Sequence, residues 1–235
     1  MTARPSGATG EAFVAVRRAQ RYGVLARSLA PGFREQLLDG PDVLLEEGRV
    51  LKDDAASTVV ALEGTCVDGG AVLLKRVRAS GLRALRRSIG PCRVRRAHEA
   101  ALRLDALGIP SAAPLGWIAQ RERGVLRASW LLSALLPGTD AGSLLAGDGA
   151  TARETADTMR ALHARLLEAG LVHGDLKATN FVGDPSRLAL VDLHALRPAR
   201  GPLDPGLRRD RLRLQRNFLA IPALRDSEVP SQAPH

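Results

Sequence analysis

Leu171-Val172-His173-Gly174-Asp175-Leu176-Lys177-Ala178-Thr179-Asn180 is the stretch on which the reading of the chain turns. Before it, Met159, Leu162, Leu166 and Leu167 recur at helical spacing up to Gly170, the pattern of an amphipathic helix with a glycine stop. Thr151 and Glu154 have capping-box spacing at its start. After it, the short apolar run Leu188 to Val191 leads to Asp192, twelve residues beyond Asn180. The order is helix, polar loop, strand, aspartate.

Asp175 and Asn180 are five residues apart, so one tight loop can aim a carboxylate at one reactant and an amide oxygen at another. A carboxylate beside a hydroxyl orients it and takes its proton. Carboxylate and amide oxygens also suit Mg²⁺, with phosphates completing the shell. A strand ending in Asp192 delivers a second ligand to the same ion. Lys177 can place its ammonium on a phosphoryl group in transfer. The spacing thus predicts phosphoryl-transfer chemistry, with Asp175 as base, Lys177 beside it, and Asn180 and Asp192 as metal ligands. His173 is expected to shape the loop by hydrogen bonding to backbone. His194 faces either the metal site or solvent.

Upstream, Val50 to Lys52, Ser57 to Glu63 and Ala71 to Val77 read as strands, the last two joined by the turn Asp68-Gly69-Gly70. Val94, Ala97, Ala101, Leu104 and Leu107 predict a helix over 92–107, stopped by Gly108 and Pro110. Pro114 to Gln120 and Val125 to Leu136 read as two more strands around the turn Arg121 to Gly124. A short helix is expected over 207–219, and one helix over 11–29. The sequence therefore divides into an N-terminal extension (1–45), a β-rich N-lobe with one main helix (46–136), a short, mostly helical C-lobe (137–219) and a flexible tail (220–235). The fold class is α+β, two lobes with a cleft between them.

The N-lobe offers the parts that would hold a nucleotide. Lys75 stands in Leu73-Leu74-Lys75-Arg76, where an ammonium among apolar neighbours is costly unless it meets an anion. Glu99 is the first acid after it, and a Lys75–Glu99 ion pair would set the lysine on the nucleotide phosphates. The backbone around Ser133, Ala134 and Leu135, ahead of Pro137-Gly138, suits the hinge that contacts adenine. The turn Lys52 to Thr58 has no glycine. Ser57 is its candidate phosphate donor, and Asp53 and Asp54 would repel phosphate unless they point away.

Among 235 residues there are 34 Lys and Arg against 25 Asp and Glu, with 45% apolar residues, too apolar for a disordered chain. Gly69 to His98 holds nine basic residues and no acid, which leaves the remainder neutral and excludes a uniformly basic protein. Arg83, Arg86 and Arg87 in that stretch are the candidate patch for an anionic membrane surface or acceptor. The stretch has no Phe, Tyr or Trp to stack on bases, so no specific nucleic-acid partner is expected. Two cysteines, Cys66 and Cys92, exclude a disulfide framework. No apolar run approaches the ~20 residues that cross a bilayer, and MTARPSGATGEAF lacks a signal-peptide core.

From about Val50 to about Leu219 the chain resembles the bacterial lipopolysaccharide kinases. The resemblance rests on LLKR (73–76), the helix RRAHEAALRLDALGIPSAAPLGW (95–117), HGDLKATNF (173–181) and LVDLHALR (190–197). Asp192-Leu193-His194 in place of Asp-Phe-Gly is especially like the heptose kinases. The resemblance implies a protein-kinase-like fold, use of ATP and Mg²⁺, and phosphorylation of a heptose or Kdo hydroxyl on lipid-A-linked core oligosaccharide. It also implies a cytoplasmic protein peripheral to the inner membrane. Aminoglycoside phosphotransferases carry similar loops, so a soluble small-molecule kinase is the alternative. A non-catalytic polyanion-binding module is a third. Only 43 residues follow Asp192, with no Ala-Pro-Glu segment, so a regulated protein kinase with a peptide platform is not expected.

Overall fold

The structure is a computed structural model that describes residues 12–66, 69–79, 88, 90–219 and 221. The chain divides into two compact units. The first runs through His98 and takes in Ala113–Leu135; the second comprises Glu99–Ala112 and everything from Leu136 onward.

The first unit is built on strands β1 (Phe13–Arg18), β2 (Arg21–Ala26), β3 (Arg49–Asp53), β4 (Ser57–Leu62), β5 (Val72–Arg78), β6 (Pro114–Glu122) and β7 (Val125–Ala134). They form one antiparallel sheet in the order β1-β2-β6-β7-β5-β4-β3. Helices α1 (Pro31–Asp39) and α2 (Val43–Glu47) give Phe33, Leu37, Leu44 and Leu45 to a core with Leu25, Val60, Val72, Leu74, Ile118, Trp130 and Leu132. A second cluster joins Trp117, Ala119 and Leu126 to Cys92 and to Val94, at the start of helix α3 (Arg93–Ala106). Arg123 and Gly124 both have positive φ, the two-residue turn whose twist matches a hairpin. The β6–β7 turn is therefore shorter than the sequence suggested.

The expected helix over 11–29 is absent. Residues 13–26 are instead a hairpin, β1 pairing β2 from Phe13↔Ala26 to Arg18↔Arg21, and β2 pairs β6. The physical reason is the β-branched set Val14, Val16 and Val24, which is stiff at χ1 and suits a pleated surface better than a helix. Residues 12–45 are thus no appendage: β1, β2 and α1 supply two strands and part of the core.

The second unit surrounds helix α5 (Gly149–Glu168), preceded by β8 (Thr139–Asp140) and α4 (Ala141–Leu145). After it come β9 (Leu171–Val172), a 3-10 turn (Ala178–Asn180), β10 (Phe181–Asp184), β11 (Arg187–Leu190), a second 3-10 turn (Leu193–Ala195), β12 (Arg197–Pro198) and helix α6 (Pro205–Leu219). Strands pair in the orders β11-β10-β8 and β12-β9. Ala152, Ala156, Met159, Leu162 and Leu166 of α5 pack with Leu104, Leu176, Phe181, Leu190, Leu214 and Phe218. The cap of α5 is Asp148, whose carboxylate accepts from the Ala150 and Thr151 N–H groups. Thr151 lies inside the helix, so the capping box read from Thr151 and Glu154 is displaced by a stronger acidic cap.

His163 is buried in the packed face of α5 and neither ring nitrogen has a partner among the described residues. Burial, with the Arg211 charge, pulls its pKa from 6.5 to about 4. The unfolded chain therefore binds a proton that the folded chain refuses, and stability falls as pH drops from about 6.5 towards 4. The full loss is roughly 3 kcal/mol. His163→Leu is expected to be at least as stable at pH 7 and to lose this acid slope in urea unfolding; equal slopes in both proteins would refute the assignment.

Candidate functional site

The loop between β9 and β10 is held by one buried carboxylate. Asp210 of α6 is 3% exposed and accepts from the His173 N–H at 2.7 Å and from the Gly174 N–H at 3.0 and 3.1 Å. Leu207, Asp210, Leu214 and Phe218 recur at helical spacing on one face of α6, and Asp210 is the acid in that apolar stripe. His173 is fully buried and its Nδ1 accepts from the Asp175 N–H at 3.4 Å. Burial holds the imidazole below its usual pKa against the pull of Asp210, the Val191 backbone, Asp175 and Asp192. A buried, neutral ring turned onto its own loop matches the expected shaping role.

Gly174 has φ +85, and a Cβ there would meet the Ala195 Cβ at 2.9 Å and its carbonyl oxygen at 3.1 Å. Only glycine fits this left-handed position, and the fit presses the Asp175 loop against the turn that follows Asp192.

Asp175 receives donors on both oxygens. Oδ1 is 2.5 Å from Arg213 Nη1. Oδ2 accepts from Asn180 Nδ2 at 3.3 Å and lies 3.5 Å from Lys177 Nζ. Asn180 Nδ2 also donates to the Asp175 carbonyl at 2.7 Å. Because both partners are acceptors, the amide nitrogen is fixed on Asp175 and Oδ1 is turned away from it. The Val191 N–H donates to the Asn180 carbonyl at 2.9 Å, which brings Asp192 alongside. Asp192 has φ 57 and ψ 48, a left-handed conformation that aspartate tolerates better than most residues. Its Oδ1 is 3.0 Å from His194 Nδ1, so His194 turns to Asp192.

Asp175, Lys177, Asn180 and Asp192 are thus brought into one loop system, as their spacing predicts. Asn180 Oδ1 and the Asp192 carboxylate, 28% exposed, are hard oxygen donors that fit Mg²⁺ with waters and phosphates completing its shell. Sequence reasoning missed Asp210 and Arg213, which act from 35 and 38 residues downstream of Asp175. The one signal for Asp210 was an acid on the apolar stripe of a helix.

The remaining candidates lie in the first unit, except Glu99, which belongs to the second. Lys75 pairs Val59 and Leu131 on its two neighbour strands and is half-buried on the face of Val77, which packs against Cys92 and Val94. Arg76 points to the opposite face, onto Asp42 at 3.2 Å. Glu99 is on the exposed side of α3. Ser133 pairs Leu73 and Pro114. The Leu135 N–H donates to the Ala71 carbonyl at 3.0 Å.

Ser57 does not face outward. Its N–H and that of Ala56 donate to Asp54 Oδ1 at 2.7 and 2.8 Å, and its hydroxyl lies 3.4 Å from the same oxygen. Asp54 Oδ2 is 2.9 Å from Lys52 Nζ. Lys52 and these amides draw the Asp54 pKa down to about 2. Ser57, the expected phosphate donor, is thus turned onto the chain's own carboxylate together with the Ala56 amide. Arg83, Arg86 and Arg87 lie outside the described residues.

No family model and no curated protein matches the sequence. Solved structures do. WaaP in complex with acyl carrier protein matches with TM-score 0.50 and 19% identity over 87% of this chain and 92% of that one. The Rio2 kinase-ADP/Mg²⁺-phosphoaspartate complex from Chaetomium thermophilum matches with TM-score 0.53 and 17% identity over 91% and 67%. The fold is protein-kinase-like. At these identities the likeness concerns the fold, and the chemistry rests on the loop described above. No helix among the described residues is long and apolar enough to cross a membrane.

Gly174→Ala is expected to lower stability by about 1–3 kcal/mol through the strained φ and to part the Asp175 and Asp192 loops. A reduced urea midpoint is the readout, and an unchanged midpoint would contradict the close packing.

Proposed function

We propose that the chain is an ATP-dependent phosphotransferase acting on a sugar hydroxyl, heptose or Kdo, of lipid-A-linked core oligosaccharide. The observation that carries the reading is the Asp175–Asn180–Lys177 arrangement, with Asp192 one residue beyond the Val191–Asn180 hydrogen bond. Asp175 accepts the proton of the acceptor hydroxyl. The hydroxyl oxygen bonds to the γ-phosphorus, the bond to the β-phosphate oxygen breaks, and ADP departs. Lys177, 51% exposed beside Asp175, neutralises the transferring phosphoryl group. Asn180 Oδ1 and Asp192 would hold Mg²⁺, which would supply positive charge against the nucleotide phosphates. Lys75 holds those phosphates, and the backbone at Ser133 and Leu135 meets the base. The acceptor class is supported by the resemblance to the lipopolysaccharide kinases and by the fold shared with WaaP. An anionic inner-membrane surface is the matching location.

The test is transfer of labelled phosphate from ATP to purified core oligosaccharide. Acyl carrier protein, present in the WaaP structure, is added in one arm. Asp175→Asn is expected to lower kcat by about 10²- to 10⁴-fold, and Asp192→Asn to abolish Mg²⁺-dependent nucleotide binding. Absence of transfer by the unaltered protein to any core acceptor would refute the reading; transfer to an aminoglycoside alone would favour the small-molecule alternative.

Asp54 adds a separate expectation. Asp54→Gly frees the Ala56 and Ser57 amides for phosphate, and two hydrogen bonds at about 1 kcal/mol each should lower KM for ATP by roughly 10-fold or more. An unchanged KM would show that this turn does not touch the nucleotide.

A further inference from the structure

Helix α6 carries Arg208, Arg209, Arg211, Arg213 and Arg216 against one acid, Asp210, whose buried carboxylate is engaged by the loop amides. The neutral sum over the chain outside Gly69–His98 conceals this concentration. Arg209, Arg213 and Arg216 are spaced i, i+4, i+7 and share one flank of the helix. Arg213 is the member that reaches the reacting centre. Its Nη1 donates to the Gly174 carbonyl at 2.9 Å and to Asp175 Oδ1 at 2.5 Å.

A guanidinium has five N–H donors in a planar fork. Those on Arg213 Nε and Nη2 have no partner among the described residues, and the side chain is 41% exposed. An ion pair this exposed contributes little to stability, and Asp210 already holds the loop backbone. The unused donors therefore stand next to the carboxylate where an acceptor hydroxyl must lie. A planar fork of permanent charge recognises carboxylate and phosphate bidentately. A neutral sugar offers it only the weaker hydrogen bonds of hydroxyl oxygens, and a cationic acceptor is repelled by the stripe.

We propose that Arg213 is a specificity-determining residue, taking a phosphate or carboxylate carried by the acceptor sugar beside the hydroxyl that reacts. Arg209 and Arg216 extend the same anion-binding stripe. The inference deepens the kinase reading and rests on it for the role of Asp175, but the binding of an anionic sugar is measurable without ATP.

The probes are glucose 6-phosphate and galacturonate, each titrated calorimetrically against its neutral counterpart, glucose or galactose. The full chain is expected to bind the anionic sugars at least ten-fold more tightly. Arg213→Gln should erase that preference, Arg213→Lys should keep part of it, and thermal unfolding of both variants should match the unaltered protein. Equal binding of charged and neutral sugars, or a preference that survives Arg213→Gln, overturns the proposal. So does Arg213-dependent binding to phosphatidylglycerol vesicles with no binding of the soluble sugars, which would assign the stripe to lipid headgroups. If the anionic preference holds while no phosphate is transferred from ATP, the kinase reading fails and the anion site stands.

Discussion

A carboxylate buried in a protein core has to be met by donors, because an unpaired charge there costs several kcal/mol. Asp210 is met by the N–H groups of His173 and Gly174. That interaction ties helix α6 to the loop that carries Asp175, Lys177 and Asn180. Gly174 takes a left-handed φ that places it on Ala195 with no room for a side chain. Asp175 then stands between Arg213 and Lys177, and Asn180 turns its amide nitrogen onto Asp175. Each group depends on the loop being held; Asp210 holds it, and Arg213, on the next turn of the same helix, reaches Asp175.

Much of this was legible in the sequence because short-range spacing encodes it. The five-residue interval from Asp175 to Asn180 and the strand running into Asp192 follow from local pattern alone. So do β3 to β7 and helix α3, whose periodicities are clean. The N-terminal hairpin was not legible, because Pro5, Gly7 and Gly10 suggested a loose extension while the strand signal in Val14, Val16 and Val24 is brief. Its stabilisation comes from pairing with β6, about a hundred residues away. Asp210 and Arg213 were missed for the same reason: their partners are distant in sequence, and the acid on the apolar stripe of α6 was the one local mark.

Charge behaved similarly. The basic excess between Gly69 and His98 drew the eye, yet its described members include structural ones. Arg76 is held by Asp42, and Arg78 reaches the Asp54 carbonyl and the Thr58 hydroxyl. The helix that touches Asp175 hides its charge in a sum that cancels elsewhere. Asp54 teaches the complementary lesson. An acid in a turn expected to meet phosphate looks repulsive in sequence, and in the fold it fills the amides a phosphate would use.

The dependence of the site on Asp210 is tested most directly by hydrogen exchange at the His173 and Gly174 amides in the unaltered protein and in Asp210→Ala, with phosphate transfer followed in parallel. The account predicts that both amides lose protection in Asp210→Ala, that helix α5 keeps its own, and that transfer collapses. Protection unchanged at the two amides, or transfer that persists after they open, would contradict it.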